Sequence, residues 1–381
     1  MSRISIKYLN SHPVLYVGPL VSPKGGFNRY VHYLLRELGP YICAVVCGNT
    51  KKYNVRFKIP GDPTERVIAK IPRLRSLFPK LVVSILSHVK VPRLIHYPYP
   101  CKDFYLIKSK HKIMTIHGVP FPHKDVENMH YLQPFVTTYE LIKEKVYNID
   151  VIVAVSHFTK NDIIHYFKVS EDRVRVIYNC VDRSVFSEVS MPEEVCYVKN
   201  VIGITRPYFL HVSTGEPHKN VKTLLKGFAE ANVNAQLVLV GIKSHYVKML
   251  LNLAEKLGVK NKITILTNFI PDKVLAMLYR QSLAFVTLSL FEGFCFPLVE
   301  ALSCGKLVVV SDKAFFHEIA EDAAIYVNPH NYEEVAKTLR DIVKGKYQLF
   351  NKKSVLLAST RYSTKSFRVK YLALYKELLK T

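Results

Sequence analysis

The chain has 381 residues, 49% of them hydrophobic, which is enough for two domains, and no run approaches the roughly 18 apolar residues of a membrane-spanning helix. The N-terminal residues lack the apolar stretch of a signal peptide and the seven cysteines form no CxxC pair, so a cytoplasmic protein with reduced thiols is expected, without a zinc site or disulfide framework. The formal net charge of +24 calls for an anionic partner such as nucleic acid, anionic lipid or a phosphorylated substrate.

Short runs rich in Val, Ile and Leu alternate with longer amphipathic segments along the chain. This pattern is expected when helices bury both faces of a parallel sheet, and it predicts a doubly wound α/β fold. The predicted strands of the first half are Val14–Val17, Ile42–Cys47, Ile113–Ile116, Val151–Val155 and Val174–Ile177. Those of the second half are Phe209–Val212, Gln236–Val240, Ile263–Leu266, Ala284–Leu288, Leu307–Val310 and Ala324–Val327. The predicted helices of the second half include Val221–Ala231, Tyr246–Leu257 and Asp272–Arg280.

Residues 182–206 are polar and irregular in pattern, and they are predicted to link the two domains. We therefore predict an N-terminal domain of residues 1–185 and a C-terminal domain of residues 186–362. Residues 363–381 are predicted to form an amphipathic helix, with the N-terminal domain as its candidate packing partner. A cleft between the two domains is the expected ligand site, because strand ends and helix N-termini from both face it.

Residues 51–110 carry nearly half of the net charge in under a sixth of the chain. They hold fourteen Lys and Arg against three Asp and Glu, a net of +11. Within them Arg73–Leu86 is basic and strongly apolar, and two interpretations are open. The segment lies on an anionic membrane surface as part of a peripheral protein, or it is an ordinary core helix with exposed lysines.

Two runs in the first half place candidate ligand-binding groups after predicted strands. The run P-K-G-G ends at Gly25 and Gly26, and paired glycines allow backbone amides to approach a ligand closely, although a plain turn uses the same residues. The run T-I-H-G places His117 at the end of a strand. Of the fifteen histidines, His117 is the one we select as a candidate catalytic group.

The run S-T-G-E-P-H-K-N follows the first strand of the second half and leads into a helix. It contains Thr214 near its start and Lys219 near its end. A lysine at such a junction supplies positive charge to a diphosphate and stabilises it as a leaving group. Lys219 is therefore the leading candidate for a phosphate ligand, and the alternative is a surface lysine near a helix N-terminus.

The most specific feature is the run F-E-G-F-C-F-P-L-V-E-A, which follows a strand and opens a helix at its proline. Backbone N–H groups around Gly293, Phe294 and Cys295 and the positive end of the helix are suited to an anionic diphosphate. Glu292 and Glu300, eight residues apart, are suited to accept hydrogen bonds from sugar hydroxyls. The run predicts a loop that binds a phosphorylated polyol, in contrast to a plain turn with solvated glutamates.

These runs resemble the retaining glycosyltransferases of family 4, which have the GT-B fold. The family signature reads E-G-F-G-x-P-x-x-E-A, and this chain departs from it at Cys295, where glycine is usual. A cysteine there crowds the sugar phosphate or changes the backbone angle, since glycine is the permissive residue. Thr214 stands where many members have Arg, so one cation of the usual pair is missing or is replaced by His218. The runs V-S-H-F-T-K and V-I-Y-N-C-V-D extend the match, which spans Gly25 to Glu300 in the expected order.

The resemblance implies an α/β protein of GT-B type, with two doubly wound Rossmann-like domains facing a central cleft. It implies transfer of a hexose from a UDP- or GDP-linked donor to a saccharide or lipid-linked acceptor. The reaction would retain configuration and use no metal and no cofactor, the nucleotide sugar being a co-substrate. By resemblance Glu292 contacts the donor sugar and Glu300 the ribose, while Gly25 and Gly26 face the donor diphosphate. His117 is expected to hydrogen-bond the donor sugar or the acceptor.

Three other functions stay open from the sequence. A nucleotide-sugar-binding protein without transferase activity is suggested by Thr214 and Cys295. A nucleic-acid-binding protein fits the charge, but the chain has no recognisable nucleic-acid module, which argues against nucleic acid as the partner. Epimerisation of a nucleotide sugar is a further GT-B activity, and it would convert the donor without an acceptor.

Overall fold

The computed structural model describes residues 14–17, 26–38, 42–46, 54–57, 66–70, 93–100, 109–121, 123–124, 133–267, 270–347 and 351–380. The chain divides into two compact units. The first contains Met1–Val119, Gln133–Tyr178 and Thr364–Thr381, and the second contains Pro120–Leu132 and Asn179–Ser363. In the described part of the chain, no helix has the length and apolar character needed to cross a membrane.

The first unit is built on a six-stranded parallel sheet. The strands of the first unit, six of which form this sheet, are β1 Val14–Val17, β2 Ile42–Val46, β3 Asn54–Phe57, β4 Arg66–Lys70, β5 Leu94–Tyr97, β6 His111–Ile116, β7 Val151–Ala154 and β8 Val174–Val176. Its first three helices are α1 Gly26–Leu38, α2 Gln133–Lys145 and α3 His157–Phe167. The sheet order is β2-β1-β5-β6-β7-β8, and β3 and β4 form a separate antiparallel pair. The strands β5 and β7 are buried along their whole length, as expected for a parallel sheet covered on both faces.

A buried polar network joins the C-terminal helix Thr364–Lys380 to this sheet. The hydroxyl of Tyr371 lies 2.8 Å from that of Tyr30, which lies 2.8 Å from Thr115 Oγ1. The hydroxyl of Tyr375 lies 2.6 Å from His96 Nδ1. Burial lowers the pKa of His96 to about 3, so its ring is neutral and can accept as well as donate hydrogen bonds. These contacts place the C-terminal helix in the first unit.

The second unit is a second doubly wound sheet. Its strands are β9 Tyr208–Val212, β10 Gln236–Val240, β11 Ile263–Leu266, β12 Ala284–Thr287, β13 Val308–Ser311 and β14 Ile325–Val327. Its helices are α4 Glu193–Asn200, α5 Val221–Ala231, α6 Ser244–Lys256, α7 Asp272–Gln281, α8 Phe296–Ser303, α9 Ala314–Ala320, α10 Tyr332–Val343 and α11 Asn351–Arg361. The C-terminal helix of the first unit, Thr364–Lys380, is α12. The parallel order β11-β10-β9-β12-β13-β14 reverses direction between β9 and β12. In such sheets ligands bind at the carboxyl ends of the two strands where the order reverses.

The α/β class and the doubly wound sheets predicted from the sequence are confirmed, and the strands predicted for the second half lie within one residue of the observed bounds. Strands β3, β4 and β5 were not predicted. The prediction of an irregular segment over residues 182–206 is wrong at α4, which an ion pair between Glu194 and Arg280 anchors to α7. The basic run Arg73–Leu86 lies outside the described residues.

Candidate functional site

Three loops follow the adjacent strands β10, β9 and β12, and therefore lie at one edge of the second sheet. They are residues 241–243, 213–220 and 288–295. The backbone N–H of Leu290 donates to the carbonyl of His218 at 2.8 Å, and the N–H of Lys243 donates to the carbonyl of Thr214 at 3.0 Å. The β9 loop is thus hydrogen-bonded to both of its neighbours, and polar side chains from all three loops share one small region.

The β9 loop is held in shape from the core side by a neutral histidine. His211 donates from Nδ1 to the carbonyl of Val286 at 2.8 Å and accepts at Nε2 from Ser213 Oγ at 2.7 Å. Burial lowers the pKa of His211 to about 4, so this tautomer persists at neutral pH. Gly215 has φ of +84°, and a Cβ there would lie 3.2 Å from Ile242. The turn therefore requires glycine, and the short helical turn Pro217–Lys219 follows it.

Lys219 and Glu292 form an ion pair across the point where the strand order reverses. Lys219 Nζ lies 2.8 Å from Glu292 Oε1, which also accepts from Ser289 Oγ at 2.8 Å. The two side chains are 18% and 13% exposed, so the pair is largely shielded from water but stays partly accessible to solvent. Burial alone would lower the pKa of Lys219, but Glu292, Cys295 and Glu216 together outweigh burial and the pKa is raised. Lys219 is therefore a fixed positive charge at neutral pH.

Cys295 has a backbone conformation that glycine adopts more easily than other residues. Its φ is +67° and ψ is +77°, in the left-handed region that disfavours a side chain. The expectation that a cysteine here crowds the sugar phosphate or changes the backbone angle stays a prediction. Burial, with Glu292 as the next cause, raises the pKa of the Cys295 thiol well above its ordinary value, so the group is a neutral thiol.

The helix α8 starts directly after Cys295, with Pro297 in its first turn. Glu300, on this helix, is buried and accepts from the hydroxyl of Tyr279 at 3.0 Å. The side chain of Phe294 packs in an aromatic cluster with Phe296 and Tyr362. Phe294 therefore contributes its backbone and not its ring to the loop surface, and Gly293 beside it is buried.

A second ion pair in the site involves Lys243, which the sequence analysis did not select. Lys243 Nζ lies 2.5 Å from Glu216 Oε1, and Thr214 Oγ1 donates to the other oxygen of the same carboxylate. Burial, with Lys219 as the next cause, lowers the pKa of His218 to about 2. His218 is therefore neutral in this state, which argues against it as the replacement for a missing cation, and that expectation stays a prediction. A lysine two residues after a strand-terminal glycine was the only sequence signal for Lys243.

The other candidate residues belong to the first unit. His117 follows β6, and its Nε2 donates to the carbonyl of Pro98 at 2.9 Å while its ring packs edge-on against Tyr30. Burial lowers the pKa of His117 to about 4, so Nδ1 is an unprotonated acceptor at neutral pH. Gly26 is the first residue of α1, and Gly25 lies outside the described residues.

The structure thus brings Thr214, Lys219, Glu292, Cys295 and Glu300 together in the second unit. Their surroundings offer two lysines, three carboxylates, hydroxyls and the first turn of α8, a set suited to phosphate and to sugar hydroxyls. Over the described ranges, no three His, Cys, Asp or Glu side chains are grouped to hold a metal ion.

Comparison with known proteins gives matches in both halves of the chain. Residues 24–185 match the profile of Glycosyltransferase Family 4, and residues 198–355 match that of Glycosyl transferases group 1. The chain is 28% identical over 237 residues to the O-antigen chain mannosyltransferase RfbU of Salmonella typhimurium, covering 60% of this chain and 63% of that protein. It is 25% identical over 249 residues to the O-antigen chain mannosyltransferase B of Escherichia coli, covering 63% of each. The aligned chain spans less than two thirds of these relatives.

Among solved structures, the Anabaena protein Alr3699/HepE in complex with UDP-glucose superposes with a TM-score of 0.74. The match covers 96% of this chain and 99% of that one at 18% identity. At this identity the likeness shows a shared fold.

Proposed function

The chain belongs to the glycosyl transferases group 1 family with the GT-B fold, and we propose on this premise that it transfers a hexose from a nucleoside diphosphate sugar to a saccharide or lipid-linked acceptor. The observation that carries the proposal is the Lys219–Glu292 pair at the point of strand reversal, next to the first turn of α8. One fixed cation and one carboxylate, side by side, match the two chemical parts of such a donor. The cation suits the diphosphate and the carboxylate suits the sugar hydroxyls.

In this proposal the leaving diphosphate is stabilised by Lys219 and by the N-terminus of α8, and no divalent metal is required. A positive charge held in place before the reaction stabilises developing negative charge without reorganisation. Glu292 holds the donor sugar and Glu300, steadied by Tyr279, holds the ribose hydroxyls. Configuration at the anomeric carbon is retained, as in the family that the sequence resembles.

His117 would serve as a neutral hydrogen-bond acceptor for a sugar hydroxyl. The carbonyl of Pro98 fixes the proton on Nε2 and so leaves the lone pair on Nδ1. A lowered pKa keeps this state throughout the neutral range. The role is therefore one of orienting donor or acceptor and does not require His117 to change protonation state.

Mannose is our first candidate for the transferred sugar, since RfbU and the Escherichia coli relative are both named mannosyltransferases. The donor nucleotide is UDP or GDP, which share the diphosphate and ribose that the residues of the site address. The acceptor would be a saccharide of a growing glycan chain, free or lipid-linked. A cytoplasmic site of action, with the basic run Arg73–Leu86 on an anionic membrane surface, completes the proposal.

The test is a transfer assay with GDP-mannose, UDP-glucose and UDP-galactose, using oligosaccharide and lipid-linked acceptors, with and without EDTA. We expect one donor to be consumed only when acceptor is present, with the anomeric configuration retained and no loss of rate in EDTA. Lys219→Met and Glu300→Ala should each lower kcat/KM at least about a hundredfold, roughly the loss of 3 kcal/mol of contacts to charged groups.

Other outcomes of this assay would favour other functions. Donor binding without turnover for every acceptor would indicate a nucleotide-sugar-binding protein. Conversion of the donor without acceptor would indicate epimerisation. No binding of any nucleotide sugar, together with salt-sensitive affinity for duplex DNA, would refute the transferase proposal in favour of nucleic-acid binding.

A further inference from the structure

A donor diphosphate is a multiply charged anion, and the β9 loop provides only one charged group of opposite sign. That group is Lys219, whose charge is already shared with Glu292 at 2.8 Å. The neighbouring Thr214 is neutral, and so is His218. Within the three loops after β10, β9 and β12, the remaining cation is Lys243, in the turn between β10 and α6.

Backbone contacts fix the position of Lys243 beside the β9 loop. Its N–H donates to the carbonyl of Thr214, and the preceding Gly241 has φ of +84° with its Cα facing the carbonyl of Ser213. A Cβ at Gly241 would lie 3.2 Å from that oxygen, so a side chain there would push the turn away. The glycine therefore allows the β10 turn to approach the β9 loop closely enough for Lys243 to reach it.

The ammonium group of Lys243 is both anchored and accessible. It lies 2.5 Å from Glu216 Oε1, a carboxylate that is only 9% exposed and that also accepts from Thr214. The lysine side chain itself is 44% exposed, so it borders solvent while Glu216 holds its ammonium group. Glu216 thus holds the charge next to Thr214, where the family usually supplies an arginine.

We propose that Lys243 is the second cation that binds the donor diphosphate, delivered from the β10 turn and oriented by the carboxylate of Glu216. This inference rests on the proposed function, since it names a further residue of the same site. It makes Lys243 a binding residue for phosphate oxygens, with Lys219 as the other member of the pair.

The experiment measures binding of UDP and GDP by calorimetry at fixed salt, using whichever of the two binds the wild type. Lys243→Met should weaken this affinity roughly tenfold to a hundredfold, the value of a hydrogen bond to a charged group. Lys243→Arg keeps the charge and should stay within about threefold of the wild type. Lys248→Met, which removes an exposed lysine from α6, the helix that follows Lys243, is the matched control and should leave the affinity unchanged.

A double variant separates direct contact from simple neutralisation of Glu216. If Lys243 contacts phosphate, Lys243→Met/Glu216→Gln stays weak, because no cation has been restored. Recovery of wild-type affinity in the double variant would overturn the inference, and so would unchanged affinity in Lys243→Met. If the wild type binds neither nucleotide, the proposed function itself fails. If the wild type and Lys243→Met bind the nucleotide equally well, only the inference about Lys243 fails.

Discussion

Replacing Arg280 by Met is expected to destabilise the second unit by about 3 to 4 kcal/mol at pH 7. Arg280 binds Glu194 through two contacts of 2.8 and 2.5 Å, and the side chains are 9% and 4% exposed. Loss of one partner of such a pair strands a buried charge. The carboxylate of Glu194, left without its partner, becomes neutral by binding a proton. From its ordinary pKa of 4.5, that protonation costs about 3.4 kcal/mol at pH 7, at ~1.36 kcal/mol per pH unit.

The pH dependence of the loss follows from the pKa of Glu194. In the wild type, burial raises this pKa, but Arg280 together with hydrogen bonds from Ser190 and the Met191 backbone outweighs burial and the net shift is downward, so the stability contribution of Glu194 is lost only below about pH 4.5. In Arg280→Met the folded-state pKa is raised instead, and folding takes up a proton. The difference between wild type and variant should therefore shrink by about 2 kcal/mol between pH 7.0 and 5.5.

Urea unfolding followed by circular dichroism measures the difference, because the chain contains no tryptophan to report by fluorescence. Hydrogen exchange of peptides from α4 localises it, since that helix loses its anchor. Arg183→Met is the matched control: its pair with Glu188 is half exposed and should contribute less than about 1 kcal/mol. A loss below 1 kcal/mol for Arg280→Met, or a loss that does not change with pH, would refute the argument.

Three further predictions concern buried groups. Tyr371→Phe removes a hydroxyl of the first unit's buried network and should lower the free energy of unfolding by about 1 to 3 kcal/mol. Tyr147→Phe removes a partly buried hydrogen bond of a residue that is 59% exposed and should lower it by less than about 1 kcal/mol, so equal thermal midpoints of the two variants would contradict the prediction. Cys295→Gly should be more stable than Cys295→Ala by about 1 kcal/mol, because only glycine relieves the positive φ, and equal urea midpoints would argue against strain. Burial keeps four histidines neutral in the folded protein. As the pH falls below ~6.5, each should lower the free energy of unfolding by about 1.4 kcal/mol per pH unit. Acid titration of stability measures this loss, and a flat profile down to pH 5 would contradict it. These histidines are His96, His117, His211 and His218.

The sequence predicted those strands whose residues form a nearly continuous apolar run. Strands such as Gln236–Val240 and Ala284–Thr287 each carry a single polar residue, at one end of the run, and strands of a parallel sheet covered on both faces have such runs. Leu94–Tyr97 escaped prediction because His96 breaks its apolar pattern, and the partners that satisfy this histidine lie 19 and 279 residues away. The helix Glu193–Asn200 was missed for the same kind of reason, since its anchor Arg280 is remote in sequence.

The residues of the candidate site also divide into those that the sequence alone selected and those that it missed. Lys219, Glu292 and Glu300 stand in runs whose residue order indicates phosphate and sugar binding, so sequence alone selected them. Lys243 stands in no such run, because its position depends on two adjacent strands and on a glycine that lets their loops touch. At Cys295 the sequence shows a departure from glycine, but the left-handed backbone angle of the residue is visible only in the structure.

Salt dependence should separate the candidate site from the basic segment of residues 51–110. In the site, Lys219 and Lys243 are balanced by Glu292 and Glu216, so nucleotide binding depends on short contacts that salt screens weakly. The basic segment has a net charge of +11, and its binding to DNA or to anionic vesicles should fall steeply with salt through counterion release. Raising the salt from about 50 to 200 mM should weaken DNA or vesicle binding by orders of magnitude and nucleoside diphosphate binding only a few-fold. Equal salt dependence for both would mean that nucleotides bind the basic surface and not the three loops.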